Sequence, residues 1–448
     1  MLRFYRTLTA HSSACIKMAL QKRADKGKED KNRLTERWGQ PGRPRPDGPL
    51  VWIHAASVGE TQSALIVITK IREISPTLPI LITTGTRTSC ELVSKRIKDE
   101  HIIHQYLPFD HPAWVKIFLE HWKPSIALWM ESELWPNMLL ALKDRGIPAY
   151  LINARLSDRS FRRWKLFKKS AQQILECFSM VFAQTEKDME KFISLGSKNV
   201  HTLGNLKYSA EPLPLNKQNL EDIHTITKDR TIWLYASTHD GEEALACKTH
   251  SQLKEAIPDL LTIIVPRHPE RREDIIQICE NYNCTATLRG DHLQLPDTNT
   301  DIYIADTLGE LGLFYQLAPL TCIGRSFSSD GGGGHNPIEA LQQECCVLYG
   351  PNVQYQQQLY DDMQEADAAI PLHTEEDLAT QLLSLLQNPD RLTSYHNKGQ
   401  AFLADKTKII DTLMQHLTPV LDSILQRQGN HNNSTADAKT DGSYRYAS

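Results

Sequence analysis

Short apolar runs recur along the chain from residue 49 onward, and each ends in small or polar residues that lead into a helical pattern. Runs this apolar predict strands that are buried on both faces, which is typical of parallel sheets covered by helices on each side. The predicted strands are Leu50–His54, Pro79–Thr83, Ser125–Met130, Ile147–Ile152, Met180–Ala183, Thr231–Ala236, Leu260–Val265, Asp301–Ala305, Leu320–Gly324 and Cys346–Tyr349.

The regular pattern breaks at the proline-rich polar stretch 209–215 and then restarts. We therefore predict an α/β chain with two similar domains, residues 49–210 and 211–426, the second closed by a C-terminal helix. Residues 427–448 show no apolar period, which predicts a disordered tail. Ligands of parallel sheets bind at the carboxyl ends of the strands, so we expect the site in a cleft between the two domains.

Composition excludes several classes of protein. Of the 448 residues, 40% are apolar and 23% charged, which argues against a disordered, collagen-like or polytopic membrane chain. The net charge of −4 argues against nucleic-acid binding as the main activity. The nine cysteines are scattered without C-x-x-C spacing, so we interpret them as reduced thiols of a cytosolic protein.

The first 48 residues differ from the rest in charge, with twelve Lys and Arg against five Asp and Glu. Their apolar runs fall short of the roughly 20 residues that a spanning helix needs, and basic residues interrupt any signal-peptide core. Two interpretations remain open for this N-terminal arm. It is either a partly disordered basic segment or an arm attracted to the anionic cytoplasmic face of a membrane.

Acidic residues follow two of the predicted strands in the first domain. Glu60 lies three residues after Ser57, a spacing typical of a capping box, but its place between a strand and a helix also suits a general base. Glu131 and Glu133 end another strand and could hold a sugar or a cation, although no His or Asp cluster completes a metal site. The stretch 153–169 then mixes cations with aromatic residues, as in a solvated basic helix or a surface that docks on phosphorylated lipid.

Three segments of the second domain carry candidate chemistry. Residues 236–243 repeat the pattern of strand, small-residue turn and acidic helix start. Arg267 and His268 end a strand, where they suit a phosphate or carboxylate, or are simply surface residues. Four glycines, 331–334, precede a helix with Asn336 as its predicted N-cap and Pro337 at its first position, which predicts an anion-binding loop. Glu339 could cap this helix or bind ribose hydroxyls.

Together these segments resemble one family, the 3-deoxy-D-manno-octulosonic acid (Kdo) transferases of lipopolysaccharide assembly. The resemblance runs in chain order over about residues 50 to 350. The matching segments are His54–Glu60, Met130–Asn137, Asn153–Ser157, Gly204–Lys207, Ser237–Glu243, Val265–Arg271, Asp306–Leu311 and Gly334–Ala340.

The resemblance implies a glycosyltransferase B fold, in which two Rossmann-like domains with parallel sheets face a central cleft. It further implies an inverting transfer of Kdo from CMP-Kdo to the lipid A precursor lipid IVA, with no metal or other cofactor. Glu60 would be the catalytic base, and Glu131 and Lys207 would contact the acceptor or Kdo. The implied CMP contacts are Pro266, Arg267, Leu308, Gly309, Glu310, Asn336, Pro337, Ile338 and Glu339.

Two other classes of function fit parts of the pattern. A glycosyltransferase or sugar-nucleotide epimerase of the same fold that uses a UDP-sugar would share the anion-binding loop. A membrane-binding adaptor would explain the basic arm but not the acidic residues at the strand ends. We expect peripheral attachment to the cytoplasmic face of the inner membrane, through the arm and the stretch Arg155–Lys169, with Phe161 and Trp164 as apolar contacts.

Overall fold

The computed structural model describes residues 1–440 except 291, 329 and 332. The chain forms two compact units, one made of Met1–Ala210 with Thr407–Ser448 and the other of Glu211–Lys406. The predicted disordered tail, 427–448, lies partly outside the described residues. Its first part, 427–440, continues the last helix of the chain.

The first unit is built on a seven-stranded parallel sheet in the order β3-β2-β1-β4-β5-β6-β7. Its core lies under the central strands, where Trp52, Trp129 and Phe118 pack against one another. The strands are β1 (Val51–Ala55), β2 (Ile80–Thr84), β3 (Ile102–Tyr106), β4 (Ile126–Met130), β5 (Ala149–Ala154), β6 (Met180–Ala183) and β7 (Val200–Thr202).

Helices of the first unit precede, connect and follow these strands. They are α1 (Leu2–His11), α2 (Ser13–Asp25), α3 (Val58–Ile74), α4 (Arg87–Arg96), α5 (Pro112–Trp122), α6 (Pro136–Asp144), α7 (Asp158–Leu166), α8 (Lys168–Leu175), α9 (Glu186–Ser194), and the C-terminal helix α18 (Lys408–Thr440). Two 3₁₀ segments, Lys31–Trp38 and Leu206–Ser209, complete the unit.

The second unit repeats the plan with a parallel sheet in the order β10-β11-β9-β8-β12-β13-β14. Its strands are β8 (Thr231–Thr238), β9 (Leu260–Pro266), β10 (Ala286–Leu288), β11 (Ile302–Ile304), β12 (Leu320–Ile323), β13 (Cys346–Tyr349) and β14 (Ala369–Pro371). Its helices are α10 (Lys217–Thr227), α11 (Glu242–Leu253), α12 (Arg272–Asn281), α13 (Leu311–Leu317), α14 (Ile338–Leu341), α15 (Gln357–Glu365), α16 (Glu376–Leu386) and α17 (Pro389–Lys406), with a 3₁₀ turn at Pro269–Arg271.

The ten predicted strands correspond to the ten interior strands of the two sheets, whereas β3, β7, β10 and β14 were not predicted. These four form the edges of the sheets. Every residue of β1, β2, β4 and β5 is buried, whereas β7 and β10 have none that is fully buried. An edge strand is covered on fewer sides, so its sequence need not be apolar on both faces.

The basic N-terminal segment differs from the predicted arm because most of it is helical and part of it belongs to the first unit. Arg37 is buried and pairs with the equally buried Glu29 at 2.9 Å, and it donates to the Leu107 carbonyl at 3.0 Å. Breaking such a buried pair is strongly destabilising, so residues 29–38 are an integral part of the fold. Among the described helices, none combines the length and the apolar character needed to cross a membrane.

Helix α18 corrects the predicted assignment of residues 211–426 to a single C-terminal domain. It packs against α3 and the 3₁₀ segment Leu206–Ser209 of the first unit. Gly204 has a φ of +101°, and a Cβ there would lie 2.5 Å from Ile409 Cδ1 of this helix. The ring of His416 lies 5.4 Å from that of Phe182 in β6. The long chain return was missed because local patterns carry no information on which sheet a helix covers.

Candidate functional site

Both sheets have a point where the chain leaves two neighbouring strands in opposite directions. In the first unit this switch point lies between β1 and β4, and in the second it lies between β8 and β12. Open α/β sheets bind ligands at the carboxyl ends of the strands that flank such a point. The predicted site residues fall into two groups, one in each unit, and both groups include residues that follow strands at or beside the switch point.

Glu60 lies at the switch point of the first unit, in the first turn of α3. Ser57 caps this helix, and the Glu60 carboxylate accepts hydrogen bonds from the Ala56 amide at 2.7 Å and the Ser57 hydroxyl at 3.1 Å. The predicted capping-box contact therefore exists. Burial nevertheless raises the Glu60 pKa to about 8, with Glu131 and Glu133 adding to the shift. A cap alone would hold an ionised carboxylate, whereas this group is held close to the point of proton exchange at neutral pH.

Lys207 lies beside Glu60, on the 3₁₀ segment that follows β7. Its Nζ would be 3.7 Å from a Cβ at Gly59, so the glycine leaves space for the ammonium group. Burial lowers the Lys207 pKa, while the carboxylates of Glu131 and Glu60 act in the opposite direction. The structure thus brings the predicted base and the predicted anion contact together.

Glu131 follows β4 in a left-handed backbone conformation, with φ of +55°. Its carboxylate lies 3.8 Å from the Arg155 guanidinium and is largely shielded from solvent. A side chain at φ > 0 is uncommon and marks a strained turn, a feature that occurs often at functional sites. Glu133 has a raised pKa because of burial, so the end of β4 adds to the acidic character of this switch point.

Asn153 links the elements of this group, a role that the residue pattern alone did not indicate. It lies in β5 with φ of +56° and is buried. Its side chain accepts from the Leu206 amide at 3.0 Å and donates to the Ser63 hydroxyl of α3 at 3.4 Å. Asn153 therefore ties the segment that carries Lys207 to the helix that carries Glu60. In the sequence, Asn153 was indicated as a site residue by its place in the family-like segment Asn153–Ser157.

The second group begins with Pro266 and Arg267 at the end of β9. The Arg267 amide donates to the Thr238 carbonyl at 3.0 Å, which fixes the backbone beside the end of β8. Pro266 is buried and the Arg267 side chain is exposed. A fixed backbone with an exposed guanidinium is suited to binding an anionic ligand.

The predicted contacts Leu308, Gly309 and Glu310 form a loop before α13. Glu310 accepts from Arg289 at 2.6 and 2.7 Å and from the Thr307 hydroxyl at 2.5 Å. Arg289 lowers the Glu310 pKa against the opposing effect of burial. This carboxylate therefore fixes the shape of the loop. Leu308 is 79% exposed, and Gly309 takes a φ of +87°.

The glycine-rich loop differs from the predicted anion-binding helix start. Helix α14 has only four residues and Pro337, not Asn336, at its N-cap. The amides of Gly334 and His335 donate to the carbonyls of Arg325 and Gly324, and Asn336 Oδ1 accepts from the Ile338 amide at 3.2 Å. These donors already have protein partners, because the loop folds back on the turn after β12. Asn336 and Glu339 still lie within 3.5 Å of each other.

Two further features of the second group were missed. The buried carboxylate of Glu242 accepts four backbone amides, from His239, Arg325, Ser326 and Phe327, at 2.7 to 3.1 Å. The rings of His239 and His335 also meet, with their Nε2 atoms 3.0 Å apart. The acidic helix start at 236–243 was a signal for Glu242. The histidine pair joins residues 96 positions apart, which no local pattern reveals.

The two groups differ in the chemistry they can perform. The first can remove a proton from a hydroxyl group, because Glu60 combines burial with a raised pKa. The second can hold an anion, because it presents guanidinium and imidazole groups at strand ends. Among the described residues, no three His, Cys, Asp or Glu side chains are arranged to hold a metal ion.

Comparison with known proteins places the chain in a family. Residues 32–210 match the family model described as 3-deoxy-D-manno-octulosonic-acid transferase (kdotransferase). A 3-deoxy-D-manno-octulosonic acid transferase of Rickettsia bellii is 37% identical over 396 residues, which cover 88% of this chain and 93% of the relative. The chain belongs to the Kdo transferase family. The resemblance seen in the sequence motifs is therefore confirmed.

Solved structures agree with the fold expected for a Kdo transferase. A glycosyltransferase of Rickettsia africae superimposes with a TM-score of 0.54 at 12% identity, over 84% of this chain and 99% of that chain. A UDP-GlcNAc 2-epimerase of Neisseria meningitidis gives 0.52 at 15% identity, over 83% of this chain and 100% of that chain. The prediction of an α/β glycosyltransferase B fold with parallel sheets is confirmed.

Proposed function

We propose that this Kdo transferase transfers Kdo from CMP-Kdo to the lipid A precursor lipid IVA, with inversion at the anomeric carbon. The observation that carries the proposal is the buried Glu60 carboxyl at the switch point of the first sheet, with its pKa raised to about 8. A base of this kind is needed because the attacking group of the acceptor is a neutral hydroxyl.

The acceptor side of the reaction is assigned to the first unit. The Ala56 amide and the Ser57 hydroxyl orient the Glu60 carboxylate, which takes the proton of the acceptor hydroxyl as its oxygen attacks the anomeric carbon. Lys207 then lies close enough to offset the negative charge of Glu60 or to bind an acceptor phosphate or the Kdo carboxylate. Glu131 is positioned to accept hydrogen bonds from a sugar hydroxyl.

The donor side is assigned to the second unit. Departure of CMP leaves charge on its phosphate, and Arg267 can stabilise that charge in the transition state. The nucleoside would lie against Pro266, Leu308 and Gly309 and the segment 336–339, with Glu310 holding the loop in shape. Because these groups supply the positive charge, we expect transfer to proceed in the presence of EDTA.

The decisive experiment incubates the purified protein with lipid IVA and CMP-Kdo and measures the mass of the lipid product. The proposal expects a mass increase of one or more Kdo residues, with or without EDTA. The Glu60→Gln variant is the matched control, because the amide retains the shape of the carboxylate. Turnover of a UDP-sugar with none of CMP-Kdo would instead support the second candidate, a UDP-sugar enzyme. We consider this second candidate because the epimerase and glycosyltransferase structures named above share the fold.

We also propose that the enzyme binds peripherally to the cytoplasmic face of the inner membrane. Helix α1 is attached to the first unit through contacts such as Tyr5 to Asp110 at 3.1 Å, yet Phe4 and Leu8 are exposed beside basic residues. Leu166 and Phe167 are exposed at the end of the basic helix α7. Cations flanking exposed apolar groups are typical of interfacial helices.

The structure changes which apolar residues we expect to contact the membrane. Phe161 and Trp164 pack partly against the core of the first unit, so their rings are less available than predicted. We expect Leu166 and Phe167 to contact the membrane instead, because they are exposed at the end of the same helix.

Vesicle flotation tests membrane binding. Binding to anionic vesicles should weaken with salt, because the Debye length falls from ~10 Å at 0.1 M to ~3 Å at 1 M. Phe4→Ser and Leu166→Ser should reduce binding, whereas Ile193→Ser, an exposed apolar residue on α9, serves as the matched control. Equal binding to neutral vesicles, or equal binding by all variants, would contradict the proposal.

A further inference from the structure

The histidine pair His239–His335 lies at the switch point of the second sheet. His239 follows β8, and His335 lies in the loop between β12 and α14. The two ring planes are inclined by 30° with centroids 5.2 Å apart, and the two Nε2 atoms are 3.0 Å apart, so the rings meet end to end. Ligands of open α/β sheets bind at this position. The pair is therefore placed where a ligand would meet it.

The contact between the rings restricts their protonation. One Nε2 must carry a hydrogen and the other must accept it, since two N–H groups cannot face each other at 3.0 Å. The Nδ1 of His239 lies 3.3 Å from Asp330 Oδ2, which favours a hydrogen on that nitrogen. Nε2 of His239 then accepts from His335, and Nδ1 of His335 has no hydrogen. The pair can gain one proton, and only one, with both contacts kept.

Charged groups from every neighbouring turn act on the pair. Arg267 and His268 face it from the end of β9, and Arg325 faces it from the turn after β12. Asp330, on the same loop, is the opposing negative charge. Glu242 of α11 also lies nearby, but its oxygens accept four backbone amides.

Without a ligand these surroundings keep the pair unprotonated. Burial, the partner ring and the arginines lower the His335 pKa to about 3, and burial with Arg325 lowers that of His239. A bound anion opposes the effect of the arginines on the pKa of the pair, because a negative group close to an imidazole favours its protonated form. Glu242 and Tyr360, whose hydroxyl donates to the His335 carbonyl at 2.8 Å, hold the backbone of both histidines in place.

We propose that His239 and His335 form a proton-linked anion site that takes up one proton when the phosphate of a nucleoside monophosphate binds beside Arg267. The added proton charges the pair, so that the phosphate meets two imidazole rings as well as a guanidinium. This inference rests on the proposed donor site and adds two residues and a proton to it. It also means that the positive charge of the histidine pair, unlike that of Arg267, is present beside the leaving phosphate only when the donor is bound.

Isothermal titration calorimetry of the full chain with CMP tests the inference. Titrations at about pH 7, in two buffers whose ionisation enthalpies differ widely, give the number of protons taken up per CMP bound. The variants are His239→Gln and His335→Gln, because the glutamine amide can replace an Nε2 contact but cannot gain a proton. His224→Gln is the matched control, because His224 is exposed on α10 and belongs neither to the second group nor to the Nε2 contact.

The wild type and His224→Gln should take up a substantial fraction of one proton per CMP. Uptake should fall in both His239→Gln and His335→Gln to the value that CMP phosphate itself contributes, about the same for every variant since its pKa is about 6. CMP affinity should rise as the pH falls, by at most about tenfold per pH unit, in the wild type more than in these two variants. Thermal unfolding confirms that each variant is folded. If one of the two glutamine variants does not fold, the other still tests the inference.

The outcomes separate this inference from the proposed function. CMP binding without proton uptake, or uptake that persists in both glutamine variants, would overturn the inference while leaving the donor assignment standing. If UMP or inorganic phosphate binds with uptake that depends on the pair and CMP does not bind, the inference stands and the CMP donor is wrong. Absence of binding by all three anions would overturn the inference.

Discussion

The two switch points of this protein occupy equivalent places in two similar sheets but carry opposite chemistry. Glu60 in the first unit has a raised pKa, and His335 in the second has a lowered one. Burial is the largest cause of both shifts, because it disfavours the charged form of any group. One fold can thus keep both an acid and a base neutral, each able to change charge when a substrate replaces water.

The difference between the units arises from how each buried carboxylate is used. Glu242, at the start of the helix after β8, accepts four backbone amides and so holds a turn. Glu60, at the start of the helix after β1, accepts from the Ala56 amide and the Ser57 hydroxyl. With fewer donors, Glu60 is less stabilised as an anion. The same residue type at a similar position therefore serves structure in one unit and is available for chemistry in the other.

The largest effect is expected from Glu60→Gln. Transfer should fall by about 10²- to 10⁴-fold, the usual contribution of a general base. Turnover with lipid IVA and CMP-Kdo measures it, alongside thermal unfolding. Thr185→Ala is the control for loss of a helix cap, since Thr185 caps α9, a helix that follows β6 and lies outside the switch point. Full activity in Glu60→Gln, or a parallel loss of activity and stability, would show that Glu60 is a cap like Glu242.

Arg267→Ala tests the opposite character of the second unit. CMP binding should weaken by about 10- to 100-fold, because a hydrogen bond to a charged group is worth about 1.5–3 kcal/mol. Calorimetry with CMP gives the change. Arg272→Ala, which removes a guanidinium paired with Asp306 at 3.1 Å, is the control for a general loss of positive charge. Equal weakening in both variants would mean that no specific anion contact exists at Arg267.

Lys207→Met tests the electrostatic balance within the first group. Loss of the ammonium removes a charge that favours ionised Glu60, so the rise of activity with pH should move to higher pH by roughly one unit. A pH profile of kcat/KM measures it. Arg155→Met is the control, because this guanidinium is half exposed and lies 3.8 Å from Glu131. A profile that does not move in Lys207→Met would separate Lys207 from the base.

The smallest expected effect is on the pH dependence of stability. Glu60 in the first unit should make the protein less stable as the pH rises, and His335 in the second unit should make it less stable as the pH falls. The Glu60 pKa rises from 4.5 to about 8 on folding. The contribution of Glu60 to the free energy of unfolding is therefore fully present below pH 4.5 and is lost as the pH rises through 8. The His335 pKa falls from 6.5 to about 3 on folding. The contribution of His335 to the free energy of unfolding is therefore fully present above pH 6.5 and is lost as the pH falls towards 3.

Urea unfolding across this pH range measures both effects. Glu60→Gln should remove part of the loss of stability at alkaline pH, and His335→Gln should remove part of the loss at acid pH, each by about 1–3 kcal/mol. Each variant is the control for the other. If the free energy of unfolding depended on pH in the same way in both variants and the wild type, the opposite effects of Glu60 and His335 would be contradicted.

The sequence by itself determined the interior of both sheets and the family. Strands covered on both faces must be apolar along their length, so ten of them were visible as apolar runs. The motifs that carry Glu60, Lys207 and Arg267 are local, and their residues lie at or near strand ends. Such features depend on neighbours in the chain, which is why a pattern of residues can reveal them.

Tertiary structure decided the features that join distant parts of the chain. The four edge strands were hidden because partial exposure allows a polar sequence. Helix α18 covers the first unit although it follows the second in sequence. Asn153 reaches Leu206 across 53 positions, and His239 reaches His335 across 96. These contacts depend on the order of strands in a sheet, and that order follows from how the whole chain packs.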